Sequence, residues 1–268
     1  MRVSSSGTFA SNEFVTLKDQ NWLDKQRVAG KIAAGALLLL EQQIKNNTDL
    51  SLIELNNLAE QYIQDHHCSL TFKGYKGFPA GVCISVNKQL VHGIPTDYHL
   101  KDGDLISFDL GTTYQGAIAD TAITCIYGMP KSERHRLLVQ ATEECLMAGI
   151  KAIEVGKKLG VIGNAISNVN KKYGFGLVTK YGGHGLCTTK DGVGIPHAPP
   201  FIANKASVNE GIRIQPGLVI AIEPMLIIGD TYTFVEKDGW TVCGMGISAH
   251  FEHSLYVHED HVEIISQR

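Results

Sequence analysis

Five side chains set the chemistry open to this chain: Asp109, Asp120, His184, Glu223 and Glu252. Each of the four carboxylates and the single imidazole lies in an apolar or glycine-rich segment. A charge there is costly to bury unless a partner or a cation neutralises it. Oxygen-rich donors with one nitrogen suit a pair of divalent first-row metal ions better than a cysteine-rich zinc site would. Such a centre activates water for hydrolysis.

The two aspartates can be placed most directly. Segments 104–111 and 116–127 read as strands, and the polar connection at Thr113, Tyr114 and Gln115 suits a hairpin. If Tyr114 and Gln115 form a two-residue turn, Asp109 and Asp120 are direct cross-strand partners on one side of the sheet. Opposed carboxylates with Cβ atoms about 4.5–5.5 Å apart repel, and a cation between them converts repulsion into ligation. The pair alone fits equally well with two unrelated strand carboxylates, one protonated or paired with a lysine.

The other three residues favour the metal. Tyr181-Gly-Gly-His184-Gly-Leu places an imidazole among glycines, where backbone can crowd a ligand. Glu223 interrupts the apolar run 218–228, and Glu is almost never buried unpaired. Pro224 lacks a ladder donor, so the strand should break after Glu223. Glu252 is embedded in the last strand-like segment; alternation puts it on one face with His250 and Ser254, with His253 facing the other way. Histidines 66, 67, 99, 135, 250, 253, 258 and 261 read as structural or solvated.

Helical periodicity is expected at about 21–45 and 52–65, and again at about 131–153 and 158–172. Two helices followed by strands, twice over, suggests a duplicated architecture. At 268 residues with 44% hydrophobic and 19% charged residues, the chain can build one large domain, and no linker divides it. The expected organisation is a flexible arm over residues 1–19 and a catalytic domain over 20–268. The apolar run Leu37–Leu40 is far too short to span a bilayer, and the first residues lack signal-peptide and transit-peptide patterns. Net charge of −3 offers no basic field for nucleic acid. Six cysteines without CxxC spacing point to a reducing compartment, the cytosol.

The motifs, taken in order, resemble the type I methionine aminopeptidases over roughly residues 20–266. They include Val82–Asn87, His92-Gly-Ile-Pro95, Asp102-Gly-Asp104, Asp109, Asp120-Thr121 and Gly183-His184-Gly185. Glu223-Pro-Met225, Asp238-Gly-Trp240-Thr241 and Phe251-Glu252-His253 complete the series. The resemblance implies an α/β (α+β type) pita-bread fold, with a curved antiparallel sheet, flanking helices and an internal pseudo-twofold. It implies metal-dependent removal of the first methionine from nascent polypeptide N-termini. Asp109 would hold one of two divalent ions (Co, Mn, Fe or Zn), His184 and Glu223 the other, and Asp120 and Glu252 would bridge them. Glu223 would also shuttle the proton. His92 would contact the scissile amide, and His197 the developing oxyanion. The chain would act in the cytoplasm as a monomer, with the ribosome as a further partner, and bind neither nucleic acid nor membrane.

Alignment on that family puts Phe72, Tyr75, Phe78, Cys83 and Trp240 around the methionine side chain. This lining departs from the family pattern. Phe72 replaces a small residue, Phe78 a tyrosine, Pro196 an aromatic residue and Lys76 a histidine. An unbranched thioether suits an aromatic slot. The altered lining leaves tolerance of other first residues open. The alternatives are an X–Pro peptidase of the same fold, a non-catalytic interaction protein on this scaffold, and a metal-independent amidinohydrolase. The first usually carries an extra N-terminal domain, and the full ligand set argues against the other two.

Overall fold

The computed structural model describes residues 15–189 and 192–268. Its four α-helices start and stop at legible signals. α1 (Gln20–Lys45) is capped by Asp19, whose carboxylate accepts from the Trp22 N–H, and it ends on the cation Lys45. α2 (Leu52–Asp65) opens on a capping box in which Ser51 and Glu54 satisfy each other's backbone N–H groups. Ser132 caps α3 (Glu133–Lys151), and Gly174, at φ +68°, terminates α4 (Gly160–Tyr173). Each helix end lies within two residues of its expected position.

Every named strand pair is antiparallel, but the strands form four sheets instead of one continuous ladder. Val82–Val86, Leu105–Tyr114 and Ala117–Ile126 join Ser69–Leu70 in one sheet. Gly183–Thr188, Gly194–Ile202, Val219–Ile222, His253–Val257 and Val262–Ile264 form another. Of the two smaller sheets, one pairs Met225–Ile227 with Ser248–His250. Among the described residues, one isolated bridge between Ala122 and Glu252 connects the two larger sheets, where the aspartate hairpin meets the last candidate ligand. α1 packs on both strands of that hairpin, and α3 packs on α4. A continuous apolar cluster including Leu37, Phe108, Ile220 and Leu255 runs through all these elements.

Two expectations change. The hairpin turn is Gln115–Gly116, with φ +46° and +84°, one residue later than Tyr114–Gln115. A two-residue hairpin turn favours positive φ at both centres, which glycine adopts freely. Asp109 therefore pairs with Ala122, and Asp120 with Gly111. Moving the turn by one residue moves each pairing by two, so both aspartates keep the same face and become diagonal neighbours. The last residues of the expected arm, 15–19, are also packed on the domain. Val15 is buried, the Lys18 N–H donates to the Gly217 carbonyl, and the Tyr256 hydroxyl donates to the Lys18 carbonyl. Val15 has apolar surface to bury, which a free arm would leave in water. The rest of the expected arm, residues 1–14, lies outside the described residues.

Candidate metal centre

The fold brings all five expected ligands to one wall of a cavity of about 300 Å³. Asp109 and Asp120 come from the hairpin. The Ser254 hydroxyl grips Asp120, accepting from its N–H and donating to its carbonyl. His184 enters from the neighbouring sheet, flanked by Gly183 and Gly185. A Cβ on either glycine would lie 2.1 Å from a backbone oxygen, of Ala221 or Pro199, so only glycine lets the strands close in around the imidazole. Glu223 sits where Pro224 breaks the ladder, between Val219–Ile222 and Met225–Ile227, which belong to different sheets. Glu252 lies at the corresponding break between Ser248–His250 and His253–Val257.

Nε2 of His184 is the hub. It lies 3.5 Å from Glu223 Oε1, 3.8 Å from Glu252 Oε1 and 3.9 Å from Asp120 Oδ2. Besides an Asp120–His184–His197 group that includes the exposed His197, two overlapping buried triads emerge, His184–Glu223–Glu252 and Asp109–Asp120–Glu252, each with donor atoms within 4.8 Å of one another. Glu252 belongs to both. Asp109 Oδ1, Asp120 Oδ1 and Glu252 Oε1 are buried without a hydrogen-bond partner among the described residues. Orphaned oxygens at the centre of an acidic cluster are what a hard or borderline cation would satisfy, so the donor set fits divalent metal.

Electrostatics agree. Burial, with the neighbouring carboxylates, pushes Asp109 up to about 7 and raises Asp120 and Glu252 well above the usual carboxylate range. Burial likewise lifts Glu223 to about 7 against the pull of His184. Four carboxylates that resist ionisation together form a coupled group poised for cations or protons. Burial, helped by His250, depresses His92 to about 4, so its imidazole is neutral at ordinary pH. His92 also holds a left-handed backbone, φ +59°, a strain that gathers at functional sites.

The remaining expected residues converge on the same cavity. His197 stands edge-on to His184 with ring centroids 4.6 Å apart, and 6.4 Å from His92. Phe72, Tyr75, Phe78, Cys83 and Trp240 all line the hollow. Phe78 meets Trp240 edge-to-face at 5.2 Å. Val91, Lys180, Tyr181, Gly182, Phe201 and Met225 complete the lining, and the sequence reading gave none of them a site role. His250 is the larger omission. Read as structural or solvated, it is 1% exposed, with Nε2 3.4 Å from Glu223 Oε2. Its place two residues before Glu252 on the same strand face was the available signal.

With the geometry established, similarity to known proteins is decisive. Residues 24–259 match the family described as Metallopeptidase family M24. The chain belongs to that family. M24 relatives include a methionine aminopeptidase of Mycoplasma capricolum, 37% identical over 94% of this chain and 98% of that one. Among solved structures, the methionine aminopeptidase of Rickettsia prowazekii superposes with a TM-score of 0.88 at 32% identity, covering 95% of this chain and 100% of that one. The Thermotoga maritima enzyme gives 0.87 at 33% identity over the same shares. The mixed α/β fold is thus the pita-bread fold of these M24 hydrolases.

Proposed function

We propose that this M24 metallopeptidase is a methionine aminopeptidase, hydrolysing the first peptide bond of nascent chains at a dinuclear site built from Asp109, Asp120, His184, Glu223 and Glu252. The observation that carries the proposal is the pair of overlapping buried triads beside an aromatic hollow. Two divalent cations (Co, Mn, Fe or Zn) bound there would supply Lewis acidity for activating solvent and polarising the scissile carbonyl. Asp109 would hold them from one side, His184 and Glu223 from the other, with Asp120 and Glu252 between. Glu223, on the wall of the centre beside His184, would accept the proton of the attacking water and pass it to the departing amine. His92, neutral and held in its strained loop, contacts the amide being broken. His197, beside His184, hydrogen-bonds the oxygen that gains charge. Phe72, Tyr75, Phe78, Cys83 and Trp240 hold the methionine side chain out of water. The X–Pro alternative has less support, because the relatives similar over their full length are methionine aminopeptidases.

Six free cysteines fit a reducing compartment, and the substrate arises at the ribosome. We therefore assign the protein to the cytoplasm, acting as a monomer through one catalytic domain. Cleavage of short peptides Xaa-Gly-Met-Met, with chelator-treated protein titrated by each ion, tests the whole reading. Activity should require metal and be greatest with Xaa as methionine. Full activity after chelation, or cleavage confined to Xaa-Pro peptides, would overturn it.

A further inference from the structure

The mechanism above leaves the buried imidazole of His250 without a task. His250 lies beneath the candidate metal centre, and neither ring nitrogen has a hydrogen-bond partner among the described residues. Its position is nevertheless fixed. The Thr124 hydroxyl donates to the His250 carbonyl and accepts from the His250 N–H, and it also contacts the Ser107 hydroxyl. The strand carrying His250 pairs it with Met225, two residues past Glu223. The result is a carboxylate flanked by two imidazoles: His184 Nε2 lies 3.5 Å from Glu223 Oε1, and His250 Nε2 lies 3.4 Å from Oε2. The other ionisable groups facing the His250 ring are Asp109 and His92.

We propose that His250 is a positioning residue for Glu223: its Nε2–H holds Oε2, so that Oε1 stays turned toward His184 and the cations. At 3.4 Å the pair is within hydrogen-bond distance but not aligned as a bond, and a small rotation of the ring or the carboxylate completes it. A carboxylate on a three-torsion side chain can otherwise rotate, offering either oxygen, both or neither. Fixing one oxygen from behind orients the other, as outer-shell partners of metal ligands commonly do. This inference rests on the metallopeptidase reading of the same site.

The test compares His250→Leu, His250→Gln and His250→Asn. The Gln amide nitrogen falls near the place of Nε2, and the Asn amide nitrogen near that of Nδ1. His250→Leu should lower kcat and weaken metal binding in calorimetry by about 10–100-fold, with KM for a methionyl peptide little changed. His250→Gln should recover most of both losses, and His250→Asn should not. A purely structural role would instead lower the melting temperature of all three, with no order set by nitrogen position. A second readout needs no metal and no activity. In the metal-free protein labelled with 15N-histidine, Glu223→Gln should shift the His250 Nε2 resonance. The proposal fails if that resonance is unmoved, if Leu behaves as wild type, or if Gln is as impaired as Leu. Wild-type protein that ignores methionyl peptides would sink the enzymatic reading, while the metal-free spectrum would still decide the role of His250.

Discussion

Asp120 makes the cost and use of burial clear. Its Oδ1 lies unpaired in a cluster of four carboxylates, each held above its ordinary pKa by burial. Replacing it with Asn removes a repelling charge and a metal ligand at once. Asp120→Asn should lose more than about a thousandfold in kcat, the scale expected for a group acting within a catalytic unit. Circular dichroism should remain native, and the metal-free variant should melt no lower than metal-free wild type at pH 8. A marked drop in melting temperature would show that the carboxylate is structural. The pH dependence follows from the same cluster. Asp109 and Glu223, each raised to about 7, carry protons below that pH which incoming cations must displace. Calorimetric titration in buffers of different ionisation heat should find proton release near pH 6 that declines toward pH 8.5. A proton count constant over that range would contradict the assignment.

The strands carrying these residues show which parts of the site can be read from sequence and which cannot. The carboxylates were legible because each breaks an apolar pattern, and the glycines around His184 because backbone must pass close by. Pairing register was not. Turn choice depended on whether Tyr114 or Gly116 occupies a positive-φ position, and glycine won. The parity of the strand preserved the conclusion despite the shifted pairing. His250 was missed because a histidine in a strand carries no mark of which neighbour it will meet; Glu223 arrives from another sheet. The grip of Ser254 on Asp120 was equally invisible, since it joins residues of separate sheets. Ser254→Ala leaves the buried N–H and carbonyl of Asp120 without that partner. Urea denaturation should show about 1–3 kcal/mol lost, together with weaker metal binding. Unchanged stability would mean the backbone finds another partner.

Over the whole molecule, the candidate ligands divide between the hairpin against α1 and the later sheet, and among the described residues the two larger sheets share one isolated backbone bridge, Ala122–Glu252, beside the Ser254–Asp120 hydrogen bonds. Cations held by residues from both therefore work as a cross-link. A ligand at a hundred times its dissociation constant stabilises a fold by about 2.7 kcal/mol. For a chain of this size, each kcal/mol moves the melting temperature by about 2–4 °C. Chelation should accordingly lower the melting temperature by at least about 5 °C in scanning calorimetry, and added metal should restore it. Identical melting curves with and without chelator would deny the cross-link.

Residues 15–19 do more than lead into α1. The Lys18 ammonium donates to Cys187 Sγ and the Lys18 backbone is held by Gly217 and Tyr256, while just inside α1, in the part that trimming would leave, the Trp22 indole N–H donates to Thr188. Cys187 and Thr188 lie on the strand that carries His184. Trimming the chain back to Gln20 should therefore slacken the imidazole's own strand from outside, and metal affinity should fall before the cooperative unfolding transition broadens. An affinity tag fused close to Val15 would disturb the catalytic centre from the opposite end of the sequence.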